Sequence, residues 1–404
     1  MRKLIYVSNN ALLLGGEINP FLEQEKEWLL DEFGPFYVIC AMGLFEINND
    51  GMKAIYSTNN KIQSVKYALS SILESHFRIE VFSLIRDSQF TLKNFIRMID
   101  FYSKGRLMED CIYRAIKLLR NDDITLYSYW LSYDAYACAR VKSRNEKIIA
   151  ISRAHSYEIQ INRNICNPYL MKKYICKYLD SVYFISYDSY NSFVDYYGKN
   201  DKFHVLYLGS TLRNTGLVER SSNNRLTILS CSAIVSVKRL DRIINALSEI
   251  DEIKITWIHI GDGPEKERIM KMAHDELKGM NIEFEFMGKL KNVQVHNIMK
   301  RKDVNVFVNS SESEGIPVSI MEAMSVGLPV IAPEICGIPE LVDSECGILY
   351  NKKNGGISLK DALLMFYYLD NKTKYEMGRK AYSKWKSRFC LEKNIGELFG
   401  IKNN

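Results

Sequence analysis

The sequence predicts an α/β protein of two doubly wound domains, and three observations carry that prediction. The chain has 404 residues, too many for one ordinary core and suited to two of about 200 residues each. Short continuous apolar runs, of the kind that buried parallel strands show, recur along it with helical patterns between them. The alternation occurs twice, on either side of the polar, aperiodic stretch TLRNTGLVERSSNN at 211–224, which reads as a linker.

In the first array, a strand over Leu4 to Val7 leads into a loop with Gly15 and Gly16, and then into a helix from Pro20 to Phe33. The runs YVICAM (37–42), IEVFSLI (79–85), ITLYSYW (124–130), KIIAISRA (147–154) and SVYFISY (181–187) read as further strands. In the second array the strands are LTILSC (226–231), KITWIHIG (254–261), IEFEFMG (282–288), VNVFVNS (304–310) and LPVIAP (328–333). Helical patterns follow them, for example over Glu265 to Lys278 and Val318 to Val326. The expected domains are 1–210 and 225–373, with a helical segment over 374–404.

Composition excludes several classes. With 47% apolar and 25% charged residues the chain is globular rather than disordered. A net charge of +6, from 54 basic and 48 acidic residues, is too diffuse for a dedicated nucleic-acid binder, so no nucleic-acid partner is expected. The nine cysteines are dispersed, with no Cys-x-x-Cys pair and no histidine cluster beside them, which reads as free thiols in a reducing compartment rather than a zinc site. The first apolar pieces are interrupted by Ser8, Asn9 and Asn10, unlike a signal peptide, and no run approaches the roughly 18 apolar residues that span a bilayer. A cytoplasmic protein is expected, with the inner face of the plasma membrane as a candidate location.

The chemistry concentrates in SESEGIPVSIMEAMSVGLPVIAP, 311–333. Glu314 and Glu322 stand eight positions apart, with Gly315 and Pro317 at the turn into a helix. Proline suits the first helical position, and the free N–H groups of a helix start favour an anionic or polyhydroxyl ligand. The plainer reading of the same pair is a solvated loop charge and an ordinary helix residue. Lys238, in SAIVSVKRLD (232–241), stands just before a helix, where a lysine can meet a pyrophosphate as a point charge. The strand–turn–helix IHIGDGPEKERI (258–269) is not a dinucleotide fingerprint, because Lys266 occupies the place of its third glycine or alanine.

With its EGIP, MEAMSxGLPVI and the later GIPELV (337–342), this segment resembles the signature of the family 4 retaining glycosyltransferases of the GT-B fold. The resemblance implies two Rossmann-like doubly wound domains facing across a cleft, with the last helices returning to the first domain. It implies sugar transfer from a nucleotide-diphosphate donor, with a UDP- or GDP-sugar as substrate and a glycan or lipid-linked acceptor. The implied route retains configuration through a same-face, oxocarbenium-like step in which the departing phosphate helps deprotonate the acceptor. Glu322 would hold the donor ribose, and Glu314 the donor-sugar hydroxyls. The amides of Gly315, Ile316 and Val318, around Pro317, would line sugar and phosphates. Lys238, helped by Arg239, would meet the diphosphate, and the backbone at Lys289 and Leu290 the base. Gly15 and Gly16 would cover the diphosphate. His155, in SRAHSYEI (152–159), matches a family histidine beside the donor sugar, and Glu158 stands where the family often has Asp.

One position departs from the family: Ala233 stands where an arginine is usual, five residues before Lys238. No Asp-x-Asp loop calls for a metal, so neither metal nor cofactor is expected. The similarity to capsule and lipopolysaccharide enzymes implies bacterial surface polysaccharide biosynthesis. Two alternatives use the same residues, a sugar-nucleotide epimerase of this fold and a catalytically idle glycan- or partner-binding homologue. Basic residues interleaved with aromatic ones over 86–120 and 140–177, Lys172, Lys173 and Lys177 among them, suggest peripheral contact with an anionic membrane.

Overall fold

The computed structural model describes residues 2–9, 18–40, 48–49, 51–56, 61–88, 90–120, 123–159, 170–211, 216–221, 224–351 and 356–401. The chain divides into two compact units, Met1–Leu206 and Tyr207–Asn404.

In the first unit the elements run β1 (Lys3–Val7), α1 (Pro20–Phe33), β2 (Phe36–Cys40), β3 (Asn48–Asn49), β4 (Met52–Tyr56), α2 (Lys61–Ser70), a 3-10 turn (Ser71–Leu73), α3 (Ser75–Arg86) and α4 (Leu92–Leu119). They continue with β5 (Ile124–Ser128), α5 (Tyr133–Lys142), β6 (Ile149–Ala154), α6 (Ser156–Ile159), α7 (Lys172–Tyr178), β7 (Ser181–Phe184), α8 (Tyr187–Tyr197) and β8 (Phe203–Val205). The strands form one sheet in the order β3-β4-β2-β1-β5-β6-β7-β8, parallel except for the β3–β4 pair. Local signals set α1: the Asn19 carboxamide accepts the Phe21 N–H at 2.9 Å, Pro20 opens the helix, and Gly34 at φ 65° ends it.

The second unit holds β9 (Arg225–Cys231), α9 (Leu240–Leu247), β10 (Lys254–Ile260), α10 (Lys266–Leu277), β11 (Ile282–Phe286), α11 (Asn292–Met299) and β12 (Val306–Val308). Then come α12 (Val318–Met324), β13 (Val330–Pro333), α13 (Ile338–Leu341), β14 (Gly347–Tyr350), α14 (Leu359–Tyr368), α15 (Asn371–Arg388) and α16 (Leu391–Leu398). Its sheet, β11-β10-β9-β12-β13-β14, is parallel in every pair. Two α/β units built on parallel sheets are therefore present, as the alternating pattern predicts.

Three sequence expectations need correction. IEVFSLI is not a strand but lies in α3, a helix with apolar residues on two sides: Phe77 and Leu84 are buried, while Ile79, Phe82 and Ile85 are exposed. With apolar residues almost all round, the 3.6-residue period is hidden. The strands β3, β4, β8 and β14 escaped notice. Three of them are sheet edges of two, three and four residues, too short to show a period. Pro317 does not begin α12 but precedes it, and Val318 is the first helical residue.

Burial also removes several basic side chains from the surface. Arg140 bonds Glu109 at 2.7 Å, and Arg106 and Arg144 pair with the same carboxylate. Arg153 lies 3.1 Å from Glu25 and donates to the Tyr127 hydroxyl at 2.7 Å. Lys172 donates to the Leu131 carbonyl. Arg140, Arg153 and Lys172 are buried, so these three of the nine basic residues over 140–177 face the interior, while Arg144, Lys147, Lys173 and Lys177 stay exposed.

The C-terminal helices are tied into the second unit. Trp385 on α15 donates to the Ser210 hydroxyl at 2.8 Å, and α15 packs on α12. A Cβ on Gly378 would lie 2.4 Å from the Gly327 carbonyl oxygen. Gly378→Ala should therefore lower the unfolding midpoint, although alanine is the better helix former by about 1 kcal/mol, because the overlap costs about 1–3 kcal/mol. Thermal unfolding of the variant tests this, and an unchanged or raised midpoint would refute the packing argument.

Candidate functional site

In a parallel sheet every strand ends on the same edge, and a crevice opens where the chain order reverses direction. In the second unit the reversal lies between β9, which leads outward to β10 and β11, and its other neighbour β12, which leads to β13 and β14. The loops after β9 and β12 therefore diverge from adjacent strand ends, and they carry Lys238 and Glu314.

Both loops are locked together. The Glu312 N–H donates to the Val237 carbonyl at 2.8 Å, and the Ser310 hydroxyl to the Lys238 carbonyl at 2.9 Å. Lys238 ends a 3-10 turn, Ser236–Lys238, and Arg239 at φ 49° turns the chain into α9. The Lys238 Nζ lies 2.7 Å from Glu314 Oε1. The same oxygen accepts the Ser311 hydroxyl at 2.5 Å and the Asn309 amide at 3.4 Å. Sequence reading missed Asn309 and Ser311, although an Asn-Ser-Ser run straight after a strand is a recognisable turn signal. Arg239 is engaged elsewhere, by Asp241 at 2.8 Å and Glu312 at 3.5 Å.

Glu322 behaves differently from Glu314. It sits on α12, buried, and its carboxylate has no hydrogen-bond or ion-pair partner among the described residues. Burial alone pushes its carboxyl up from 4.5 to about 7, and its charge acts on the Cys231 thiol at the end of β9. The backbone N–H groups of Gly315, Ile316 and Val318 likewise have no acceptor among the described residues. Lys289 and Leu290 follow β11 on the same sheet edge, next to the Gly261 turn, whose N–H donates to the Gly288 carbonyl at 2.9 Å.

The Gly-x-Gly turn is structural. A Cβ on Gly261 would lie 1.8 Å from the Ser232 carbonyl oxygen, and one on Gly263 would lie 2.3 Å from that of Ile234. Only glycine lets this turn press against the loop that carries Lys238. Ala233 in that loop is exposed. A cavity of about 820 Å³ elsewhere in the unit is lined by Arg239, Glu312 and residues of α9 and α14, but not by Lys238, Glu314 or Glu322.

In the first unit the order reverses at β1 and β5. Gly15 and Gly16, in the loop after β1, lie outside the described residues. His155 follows β6, packed against Tyr129 and Trp130 with ring centroids 4.9 and 4.3 Å away. Its Nε2 lies 3.0 Å from the Tyr129 carbonyl and so must carry the proton, which leaves Nδ1 as an acceptor. Burial, and after it the Arg153 charge, lower its pKa to about 3, so the ring is neutral. Glu158 accepts the His155 N–H at 3.0 Å and fixes this turn, its own carboxyl pushed up to about 7 by burial.

Residues 218–384 match the family model described as Glycosyl transferases group 1. The sulfoquinovosyl transferase SQD2 of Arabidopsis thaliana is 34% identical over 118 residues, 28% of this chain and 21% of that protein. The O-antigen biosynthesis glycosyltransferase WclY of Escherichia coli is 26% identical over 176 residues, 43% of this chain and 46% of that protein. The matched stretch thus spans less than half the length of these relatives. Among solved structures, sucrose-phosphate synthase from Thermosynechococcus elongatus has a TM-score of 0.72 at 12% identity, covering 99% of this chain and 98% of that one. HepE from Anabaena, solved in complex with UDP-glucose, has a TM-score of 0.65 at 14% identity and covers 99% of each chain. The fold is the GT-B fold of these neighbours.

The buried carboxyl of Glu322 has a thermodynamic signature. Its folded pKa is raised above the unfolded 4.5, so the native state holds the extra proton and stability falls as pH rises from about 4.5 to about 7. Glu322→Gln should therefore stabilise the ligand-free protein at pH 8, by up to roughly 3 kcal/mol, and progressively less toward pH 5. Unfolding midpoints across that range test it; a pH-independent difference would show that Glu322 is not the group involved.

Proposed function

We propose that the chain is a retaining, family 4-like glycosyltransferase that takes a nucleotide-diphosphate sugar in its second unit. The observation that carries the reading is the pairing of Lys238 with Glu314 beside Glu322, whose carboxylate has no partner among the described residues, at the β9–β12 crevice. Two neutral hydroxyls of a ribose are the partners such a carboxylate lacks, and donating to it they favour its ionised form. Lys238 has donors left over from its bond to Glu314 for a diphosphate. The N–H groups of Gly315, Ile316 and Val318 supply more, so the leaving group is met without a metal.

In the proposed reaction the bond from the sugar's anomeric carbon to the diphosphate oxygen breaks and a bond to the acceptor hydroxyl oxygen forms on the same face. The acceptor proton passes to the departing phosphate, while Glu314 holds donor-sugar hydroxyls. His155, neutral with Nδ1 as acceptor, is assigned to the first unit's share of substrate binding. The acceptor is a glycan or a lipid-linked glycan, and the setting is bacterial surface polysaccharide synthesis in the cytoplasm. The likeness to the O-antigen enzyme supports that setting, and the neighbour solved with UDP-glucose makes UDP-sugars the first donors to test.

A thermal-shift screen of UDP- and GDP-sugars tests the donor site. A donor at 100 times its dissociation constant should add about 2.7 kcal/mol of stability. Glu322→Ala should lose most of that shift, and a full shift in the variant would show that the site is misplaced. Donor affinity should rise with pH through about 7 in the native protein as Glu322 ionises, and lose that dependence in Glu322→Gln. Once an acceptor is found, Lys238→Ala should lower kcat by about 10²–10³-fold, while an unchanged kcat would remove Lys238 from leaving-group stabilisation.

A further inference from the structure

The first unit carries an exposed apolar face that neither its core nor the donor site uses. Of the 23 large apolar side chains exposed among the described residues, 11 fall between Ile62 and Ile96. Scattered exposed apolar residues are ordinary, but a run of them on packed neighbouring elements marks an interaction surface. On α2, Ile62, Val65 and Leu69 share one side at helical spacing, and Ile62 is 82% exposed. The 3-10 turn adds Ile72 and Leu73, and the outer side of α3 adds Phe82, 68% exposed, between Ile79 and Ile85. Leu92 and Ile96 lie on the first turns of α4 beside Phe95, whose ring meets Phe77 of α3 at 6.3 Å, while α2 packs further along α4 at Arg106 and Asp110.

The charges on this face have one sign. Lys66, Arg78 and Lys93 are exposed among the apolar residues, while the charge of Arg86 is offset by its partner Asp87. The nearby acids are neutralised or withdrawn: Asp87 is held by Arg86 at 2.8 Å, Glu74 by Arg106 and Arg140, and Glu80 is buried. A second copy of this chain docking by the same face would bring like charges together. An anionic lipid surface meets both features, taking the apolar side chains at the headgroup boundary and the basic ones among the phosphates.

We propose that α2, the 3-10 turn, the outer side of α3 and the start of α4 form a face that seats this protein on an anionic bilayer surface. The relevant basic residues are Lys66, Arg78 and Lys93, rather than the buried Lys172 and Arg140. This inference is independent of the donor site, because it is read by binding alone.

Co-sedimentation of the full chain with phosphatidylcholine vesicles, with and without phosphatidylglycerol, tests it. Binding should require phosphatidylglycerol and weaken as ionic strength rises. Replacing Lys66, Arg78 and Lys93 with Gln should cost about fivefold per side chain, which is about 1 kcal/mol each. Leu69→Ser with Phe82→Ser should abolish binding while circular dichroism and the unfolding midpoint stay as in the parent, since both side chains are exposed. No binding to phosphatidylglycerol vesicles would overturn the proposal, as would equal binding by the well-folded variants. Concentration-dependent dimerisation of the parent that Leu69→Ser with Phe82→Ser abolishes, without vesicle binding, would assign the face to self-association instead.

Discussion

In the second unit β9 and β12 are hydrogen-bonded neighbours although two strands and three helices intervene between them in sequence. That pairing makes the site possible. It puts the ends of two strands side by side on the edge where a parallel sheet leaves its loops free. The chain segments that follow cannot run apart until they have exchanged the bonds between Val237 and Glu312 and between Lys238 and Ser310. Lys238 then meets Glu314, and the close approach at Gly261 and Gly263 braces the lysine loop from its other side.

The two glutamates of this crevice show how environment divides the roles of one residue type. Glu314 receives a lysine, a serine hydroxyl and an asparagine amide on one oxygen, so its position is determined before any ligand arrives. Glu322, on α12, has no partner among the described residues, and burial holds its carboxyl toward the protonated form. A buried group without a partner lowers stability, and such groups persist where binding supplies what the fold withholds. Two buried carboxylates of the first unit are ion-paired instead: Glu25 with Arg153, and Glu109 with Arg106, Arg140 and Arg144. Removing one member of such a pair would leave an uncompensated charge inside, so the first pair ties α1 to β6 and the second ties α4 to α5.

The helix α3 has its inner and outer faces filled for different reasons. Phe77 and Leu84 enter the core with Met98 and Tyr102 of α4, which is enough to dock the helix. Ile79, Phe82 and Ile85 add nothing to that core and stay in water. The strand-like appearance of IEVFSLI comes from this doubling, so the segment that misleads a periodicity argument is also the one whose outer face folding does not explain.

Signals that act over a few residues were legible in the sequence. The bounds of α1 follow from Asn19, Pro20 and Gly34, and the central strands follow from continuous apolar runs, because burial on both faces leaves no other composition possible. The Glu314–Glu322 spacing and Lys238 marked the site for the same reason, since they lie in short segments next to those strands. The edge strands β8 and β14 were not legible, because runs of three and four residues are too short to show a period. Nor was the fate of the basic residues. Arg153 finds Glu25 and Arg140 finds Glu109 only when distant segments pack, so whether each charge faces water or a carboxylate was decided by tertiary structure. The same holds for Glu322. The sequence determined that a carboxylate stands eight residues after Glu314, but its lack of a partner depends on what surrounds α12, and only the folded chain brings those atoms together.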